Sequence, residues 1–162
     1  MPTTAMTCLL VEGPLDEMAE FYTSLVPDSA VLNVGRWPAD SERAGEPLAV
    51  DFTVAGARFQ LISGGPDVAL TPVVSIKLEV DDQAEVDRLW SALLADGGEP
   101  SQCGWLTDRY GLSWQLIPRG FTELMATSDV ALQQQLFAAM LTMTKLEMPV
   151  FEAIAEGHAA QA

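Results

Sequence analysis

The chain has 162 residues, 49% apolar and 19% charged, the balance of a globular protein, and it contains no apolar run approaching the roughly 18 residues of a membrane span. Eight Lys and Arg against 23 Asp and Glu give a net charge of -15, which repels phosphate backbones, argues against nucleic acid as a partner and serves solubility. No basic region precedes an apolar run at the amino terminus, so the protein is expected in the cytoplasm; Cys8 and Cys103 lack zinc-knuckle or C-x-x-C spacing and are expected reduced.

Ala5 to Val11 is short and apolar, a strand ended by Gly13-Pro14, with Pro placed to open a helix. Leu15, Met18, Ala19, Tyr22 and Leu25 then recur on one helical face, Asp16 and Glu17 suit the positive helix start, and Pro27 stops it. Ser29 to Trp37 reads as a second strand, followed by a Gly-, Pro- and Ser-rich polar loop, Pro38 to Pro47, expected to be mobile. Val50, Phe52 and Val54 alternate with Asp51 and Thr53, and Ala55-Gly56-Ala57 turns the chain into Arg58 to Ile62, a β-hairpin in which Gln60 lies opposite Phe59 and Leu61.

After Gly64-Gly65-Pro66, Val73 to Val80 alternates Val74, Ile76, Leu78 and Val80 with Ser75, Lys77 and Glu79. Asp82 and Glu85 form a capping-box-like start to a helix whose stripe is Val86, Leu89, Trp90, Leu93 and Leu94, ended by Gly97-Gly98. The order strand, helix, strands thus occurs twice in about 120 residues, an internal repeat of two βαβββ modules, about 1–66 and 72–119. Such modules pair into a curved mixed sheet around a cavity, an α+β domain covering 1–119. Beyond Pro118, the apolar clusters Phe121 to Met125, Leu132 to Leu141 and Leu146 to Ile154 predict two or three short helices, so 120–162 is a C-terminal helical extension packed on the domain or on a dimer interface.

Cys103 to Pro118 carries the densest pattern. Asp108-Arg109-Tyr110-Gly111 supplies a tight turn, because Asp closes local hydrogen bonds and Gly accepts a positive φ. From Leu112 onward Ser113 and Gln115 share one face while Leu112, Trp114 and Leu116 take the other, so Gln115 is a polar group on a strand built for burial, as a binding cavity would require. Trp90 and Trp114 continue apolar periodicities and are expected in the core.

Phe21-Tyr22, Ser63-Gly64-Gly65-Pro66, Asp81 to Asp87 leading to Trp90, and Cys103 to Pro118, in that order, resemble the vicinal-oxygen-chelate superfamily, the glyoxalase and bleomycin-resistance fold. They look most like its PhnB-like branch, whose members are often labelled 3-demethylubiquinone 3-methyltransferase-like. The likeness covers about residues 4 to 145. It implies a homodimer, and in metal-using members four side chains, commonly His and Glu, hold a divalent ion. Carried over one at a time, these positions fall at Thr7, Gln60, Ser75 and Gln115. All four are neutral here, and two hydroxyls with two carboxamides offer neither negative charge nor nitrogen donors to offset a metal's dehydration, so no metal and no other cofactor is expected.

The expected function is therefore binding of a small organic molecule in a metal-free cavity by Thr7, Gln60, Ser75 and Gln115, with Phe52, Trp105 and Tyr110 as walls. The same four residues could instead satisfy one another or buried waters. Catalytic residues are not identified. The resemblance implies as the alternative a metal-dependent lyase or dioxygenase; an enzyme could use Asp108 or Glu79 in catalysis, or a metal held by unexpected ligands such as Cys8 or Asp51, and a dimeric interaction module working through the tail is a further alternative. The methyltransferase label finds little support, since the first strand-to-helix turn, Glu12-Gly13-Pro14, holds one glycine where a nucleotide-binding turn needs several. His158, the single histidine, lies in Glu156 to Ala162, expected to be a frayed tail.

Overall fold

The computed structural model describes residues 3–160, which divide into two compact units, the chain up to Leu70 and the chain from Thr71. The first unit runs β1 (Thr7–Val11), α1 (Leu15–Leu25), β2 (Ala30–Arg36), β3 (Pro47–Val54) and β4 (Ala57–Ser63), in sheet order β1-β4-β3-β2 with β1 parallel to β4 and the other pairs antiparallel. The second runs β5 (Ser75–Val80), α2 (Gln83–Leu94), β6 (Glu99–Pro100), β7 (Trp105–Thr107) and β8 (Ser113–Pro118), in order β5-β8-β7-β6 with the same directions. Both units are thus βαβββ modules of identical topology, and the α+β class with its internal repeat is observed.

Alternation decides which face each sheet buries. In the first unit Leu9, Val11, Val50, Phe52, Val54 and Leu61 are buried on the same side as Leu15, Met18, Tyr22 and Leu25 of α1. Tyr22 meets Phe52 in a tilted contact and Phe52 stacks on Phe59, with centroids 6.0 and 5.6 Å apart. Ala55 and Gly56, at φ 48° and 77°, make the β3–β4 turn with the backbone sign that hairpins prefer. In the second unit Ile76, Leu78, Val80, Trp114 and Leu116 meet Val86, Leu89 and Leu93 of α2. Trp90, expected in the core, sits at the margin of that stripe and is only half-buried. Asp82 caps α2 by accepting from the Glu85 backbone N–H at 2.9 Å, whereas the Glu85 side chain turns to Arg88 rather than closing the box.

Residues 38–47, expected to be a mobile loop, are ordered by their own hydrogen bonds. The Trp37 N–H donates to the Glu46 carbonyl and the Gly45 N–H to the Trp37 carbonyl. Arg43 lies over the Trp37 ring, pairs with Glu46 and donates to Ser63 Oγ at 2.8 Å. Composition did not reveal this, because the decisive partners are an aromatic ring before the loop and a hydroxyl on another strand.

Past Pro118 the chain forms α3 (Arg119–Thr127), α4 (Val130–Met140) and α5 (Met148–Ala159), which group with the second unit. Phe121, Leu132, Leu136, Leu146 and Phe151 form one cluster with Ile117 of β8. The strap from Met143 to Met148 is pinned at both ends. The N–H groups of Cys103 and Gly104 donate to the carbonyls of Met143 and Thr144, and Gln83 donates to the Leu146 carbonyl while accepting from the Met148 N–H. Gly104, at φ 81°, allows this approach: a Cβ there would lie 3.0 Å from Leu146 Cγ of the strap and 2.8 Å from the Leu116 carbonyl oxygen of β8. His158 is not in a frayed tail, since α5 continues through it and its Nε2 lies 3.0 Å from Oδ2 of Asp129, the residue that caps α4.

Candidate functional site

Each sheet turns one face to its helix and carries its polar residues on the other. In the first unit the register places Cys8, Gln60, Asp51 and Asn33 in one row across that second face. Gln60, half-buried, donates from Nε2 to Asp51 Oδ1 at 2.6 Å. Thr7 is in register with Phe59 and therefore lies on the helix side, one residue out of phase with Gln60. Cys8 takes the place expected for Thr7. Phe52 is completely buried against Tyr22, so it has no surface to offer a ligand.

In the second unit Gln115 occupies the centre of the corresponding face, in register with Lys77 on one side and Trp105 on the other. Its Nε2 donates to Ser75 Oγ at 2.8 Å, across to the neighbouring strand. Ser75, Gln115 and Trp105 are half-buried and share this face, so three of the sequence-derived residues are brought together. Lys77 holds Glu79 at 2.7 Å. The Lys77 hydrogen bond and charge, helped by Thr122, keep the Glu79 carboxyl below the usual range, so it stands as a paired carboxylate on an exposed edge.

Tyr110 lies in the turn, with the Arg109 guanidinium over its ring. That turn is organised by Asp108, which is 3% exposed. Its Oδ1 accepts from the backbone N–H groups of Tyr110 (2.8 Å) and Leu112 (3.1 Å), and its Oδ2 accepts from the Trp114 indole N–H at 2.8 Å. A carboxylate so engaged is a positioning group: it fixes the strand that carries Ser113 and Gln115. The Trp-Leu-Thr-Asp-Arg-Tyr-Gly-Leu-Ser-Trp pattern is thus explained by an internal hydrogen-bond network.

A divalent ion of the kind used by this fold does not fit these donors. Gln60 and Gln115 are carboxamides already bonded to Asp51 and Ser75, and among the described residues no three His, Cys, Asp or Glu side chains converge. Cys8, the one soft donor on the first face, is exposed and stands beside an amide.

Sequence reasoning missed Gln83 and Lys145, which fasten the strap to α2. Lys145 pairs with Asp87 and with Glu147. The Lys145 hydrogen bond, then that of Gln83, holds the Asp87 carboxyl below the ordinary aspartate range, and Asp87 in turn raises Lys145. Because the Asp87 value is depressed on folding, its contribution is present above about pH 4 and lost as pH falls through the lowered value. The raised Lys145 value makes its contribution complete below about pH 10 and lost as pH rises further. The difference in melting midpoint between wild type and Lys145→Met should therefore stay constant from about pH 5 to 9 and close in acid. A difference that grew in acid would refute the pairing.

Two βαβββ units with one helix-covered and one polar sheet face define a protein of the glyoxalase and bleomycin-resistance fold, in the vicinal-oxygen-chelate superfamily. The chain belongs to the family described as 3-demethylubiquinone-9 3-methyltransferase, whose model matches residues 3–117. It is similar to a putative 3-demethylubiquinone-9 3-methyltransferase, the PhnB protein of Bacillus cereus, at 28% identity and a TM-score of 0.65, over 72% of this chain and 99% of that one. At the level of fold it is similar to protein PA1353 of Pseudomonas aeruginosa (22% identity, TM-score 0.58, 72% and 98% covered). It is likewise similar to a fosfomycin resistance protein of Listeria monocytogenes solved with Mn(II) and a dihydroxypropylphosphonic acid (13% identity, TM-score 0.52, 72% and 92% covered). No curated protein matches the chain. The family match stops at residue 117, before α3.

Proposed function

We propose that this protein binds a small organic molecule on the polar sheet faces, without a metal. The observation that carries this reading is the Gln115–Ser75 pair: a half-buried carboxamide and hydroxyl on the face not covered by α2, bonded to each other and still holding unused donor and acceptor capacity. Gln60 and Asp51 repeat the arrangement on the first unit. Trp105, in register with Gln115, and Tyr110 in the following turn supply aromatic surface. Thr7 and Phe52 have no part in this reading, and Cys8 replaces Thr7.

The name of the family points to methyl transfer, and the fold to metal-dependent lyases and dioxygenases. Among the described residues no three His, Cys, Asp or Glu side chains converge to hold the metal that the latter would need. The reading includes a cytoplasmic location and a homodimer; the homodimer is supported by a charge-free groove of about 320 Å³ between α3 and α4, where Phe137, Leu141 and Val130 are exposed. No helix of the described residues is long and apolar enough to cross a membrane.

A thermal-shift survey of small polar and aromatic compounds tests the proposal. At least one compound should raise the melting midpoint of wild type and fail to raise that of Gln115→Ala, and a chelator should change neither midpoint. Loss of stability on chelation, restored by a stoichiometric divalent ion, would favour the metal-dependent alternative.

A further inference from the structure

A second groove, of about 490 Å³, lies between α3 and α5, past the residues that the family model matches. Helical spacing builds it: Gly120, Glu123, Leu124 and Thr127 recur along one stripe of α3, and Met148 and Glu152 face them one turn apart on α5. The floor is apolar, made of half-buried Leu124 and Met148. Gly120 leaves room for the Met148 side chain, since a Cβ there would lie 2.9 Å from the Met148 methyl carbon. Glu123, Thr127 and Glu152 stand exposed on the rim. These polar side chains offer acceptors only: two are carboxylates, and the one hydroxyl proton of Thr127 is donated to the Glu123 backbone carbonyl at 2.8 Å. The basic side chains of the two helices are engaged elsewhere, Arg119 with Asp81 at 2.9 Å and His158 with Asp129 at 3.0 Å. Among the described residues no ion pair engages Glu123 or Glu152.

We infer that the α3–α5 groove binds a primary alkylammonium, its chain lying on Leu124 and Met148 and its charged head at the Glu123 and Glu152 carboxylates. This site is separate from the sheet faces and does not rest on the reading above. An ammonium head carries three donors and no acceptor, which suits a rim of acceptors, and its charge suits a chain of net charge -15. A carboxylate ligand would set acceptors against acceptors and negative charge against negative charge. A quaternary ammonium has no N–H to donate and is recognised by aromatic rings, none of which lines the groove. A bare metal ion would leave the apolar floor uncovered.

Hexylammonium, hexanol, hexanoate and methylammonium separate the contribution of the chain from that of the head. Titrated at neutral pH and constant ionic strength into the full chain labelled at its methionine methyl groups, hexylammonium should move the NMR signal of Met148. It should leave in place that of Met125, which lines the charge-free α3–α4 groove. Hexanol, lacking the charge, should bind about tenfold more weakly, as two exposed ion pairs of about threefold each would give. Methylammonium, lacking the chain, should also bind at least about tenfold more weakly, and hexanoate should not move Met148. Glu123→Gln and Glu152→Gln should each weaken hexylammonium about threefold and leave hexanol unchanged. Gly120→Ala, a change that helices favour, should push the Met148 methyl into the groove and weaken hexylammonium and hexanol alike, with the melting midpoint kept. Several results would each overturn the inference: hexanol or methylammonium equal to hexylammonium, binding of hexanoate, or a Met125 response equal to that of Met148. Full affinity in both glutamine variants or in Gly120→Ala would do the same, as would a Met148 signal that none of the four compounds moves.

Discussion

Asp108→Ala is expected to destabilise the protein by about 3–5 kcal/mol, a fall of roughly 10 °C in the melting midpoint. The substitution removes the acceptor of two backbone N–H groups in the turn and of the buried Trp114 indole N–H. A buried donor without a partner costs about 1–3 kcal/mol, and bonds to a charged acceptor are the stronger kind. Asp108→Asn keeps one carbonyl acceptor and should lose about half as much. Trp114→Phe removes the indole donor, so a double-mutant cycle between positions 108 and 114 should show coupling of at least about 0.5 kcal/mol. A normal midpoint for Asp108→Ala accompanied by lost ligand binding would instead make Asp108 a residue of the site itself.

Phe151→Ala should cost about 3–5 kcal/mol, because a fully buried ring leaves a cavity that the helices, tied by the pinned strap before α5, close only in part. Phe151 packs on Phe121 with centroids 4.5 Å apart, inside the cluster that joins α3 and α4 to Ile117 of β8. Hydrogen exchange should show where the loss falls. Protection in α4 and α5 should collapse while α2, whose buried face belongs to a different set of contacts, keeps its own. Phe151→Leu, close in volume, should restore most of the protection. Unchanged protection in α4 and α5 would mean that the extension is held by something other than this cluster.

Much of the fold was legible because alternation and helical spacing are local. Val50, Phe52 and Val54 alternate without interruption, and Leu15, Met18, Tyr22 and Leu25 leave one choice of buried face. The phase of β1 was not legible: in Thr-Cys-Leu-Leu-Val both faces are nearly equally apolar, and only pairing with Gln60 shows that Cys8, not Thr7, shares its face. Phe52 could have been placed correctly, since it shares its side of the strand with Val50 and Val54, which left Asp51 and Thr53 for the polar face. Gln115 and Ser75 were found on one face because each strand's alternation is clear. Gln83 showed only its local i,i+4 pairing with Asp87; its hold on the strap left no sequence signal, for those partners are backbone atoms more than sixty residues away. Asp108 was visible as a turn residue, but its grip on Trp114 depends on a strand curling back over its own turn.

The side-chain amide spectrum of glutamine-labelled protein, recorded while an organic ligand and then manganese(II) are added, bears most directly on a metal-free binding face. The Gln115 signals should move with the organic compound, and neither Gln115 nor Gln60 should broaden with the paramagnetic ion. Stoichiometric broadening of both by manganese(II), with no response to any organic compound, would contradict the account.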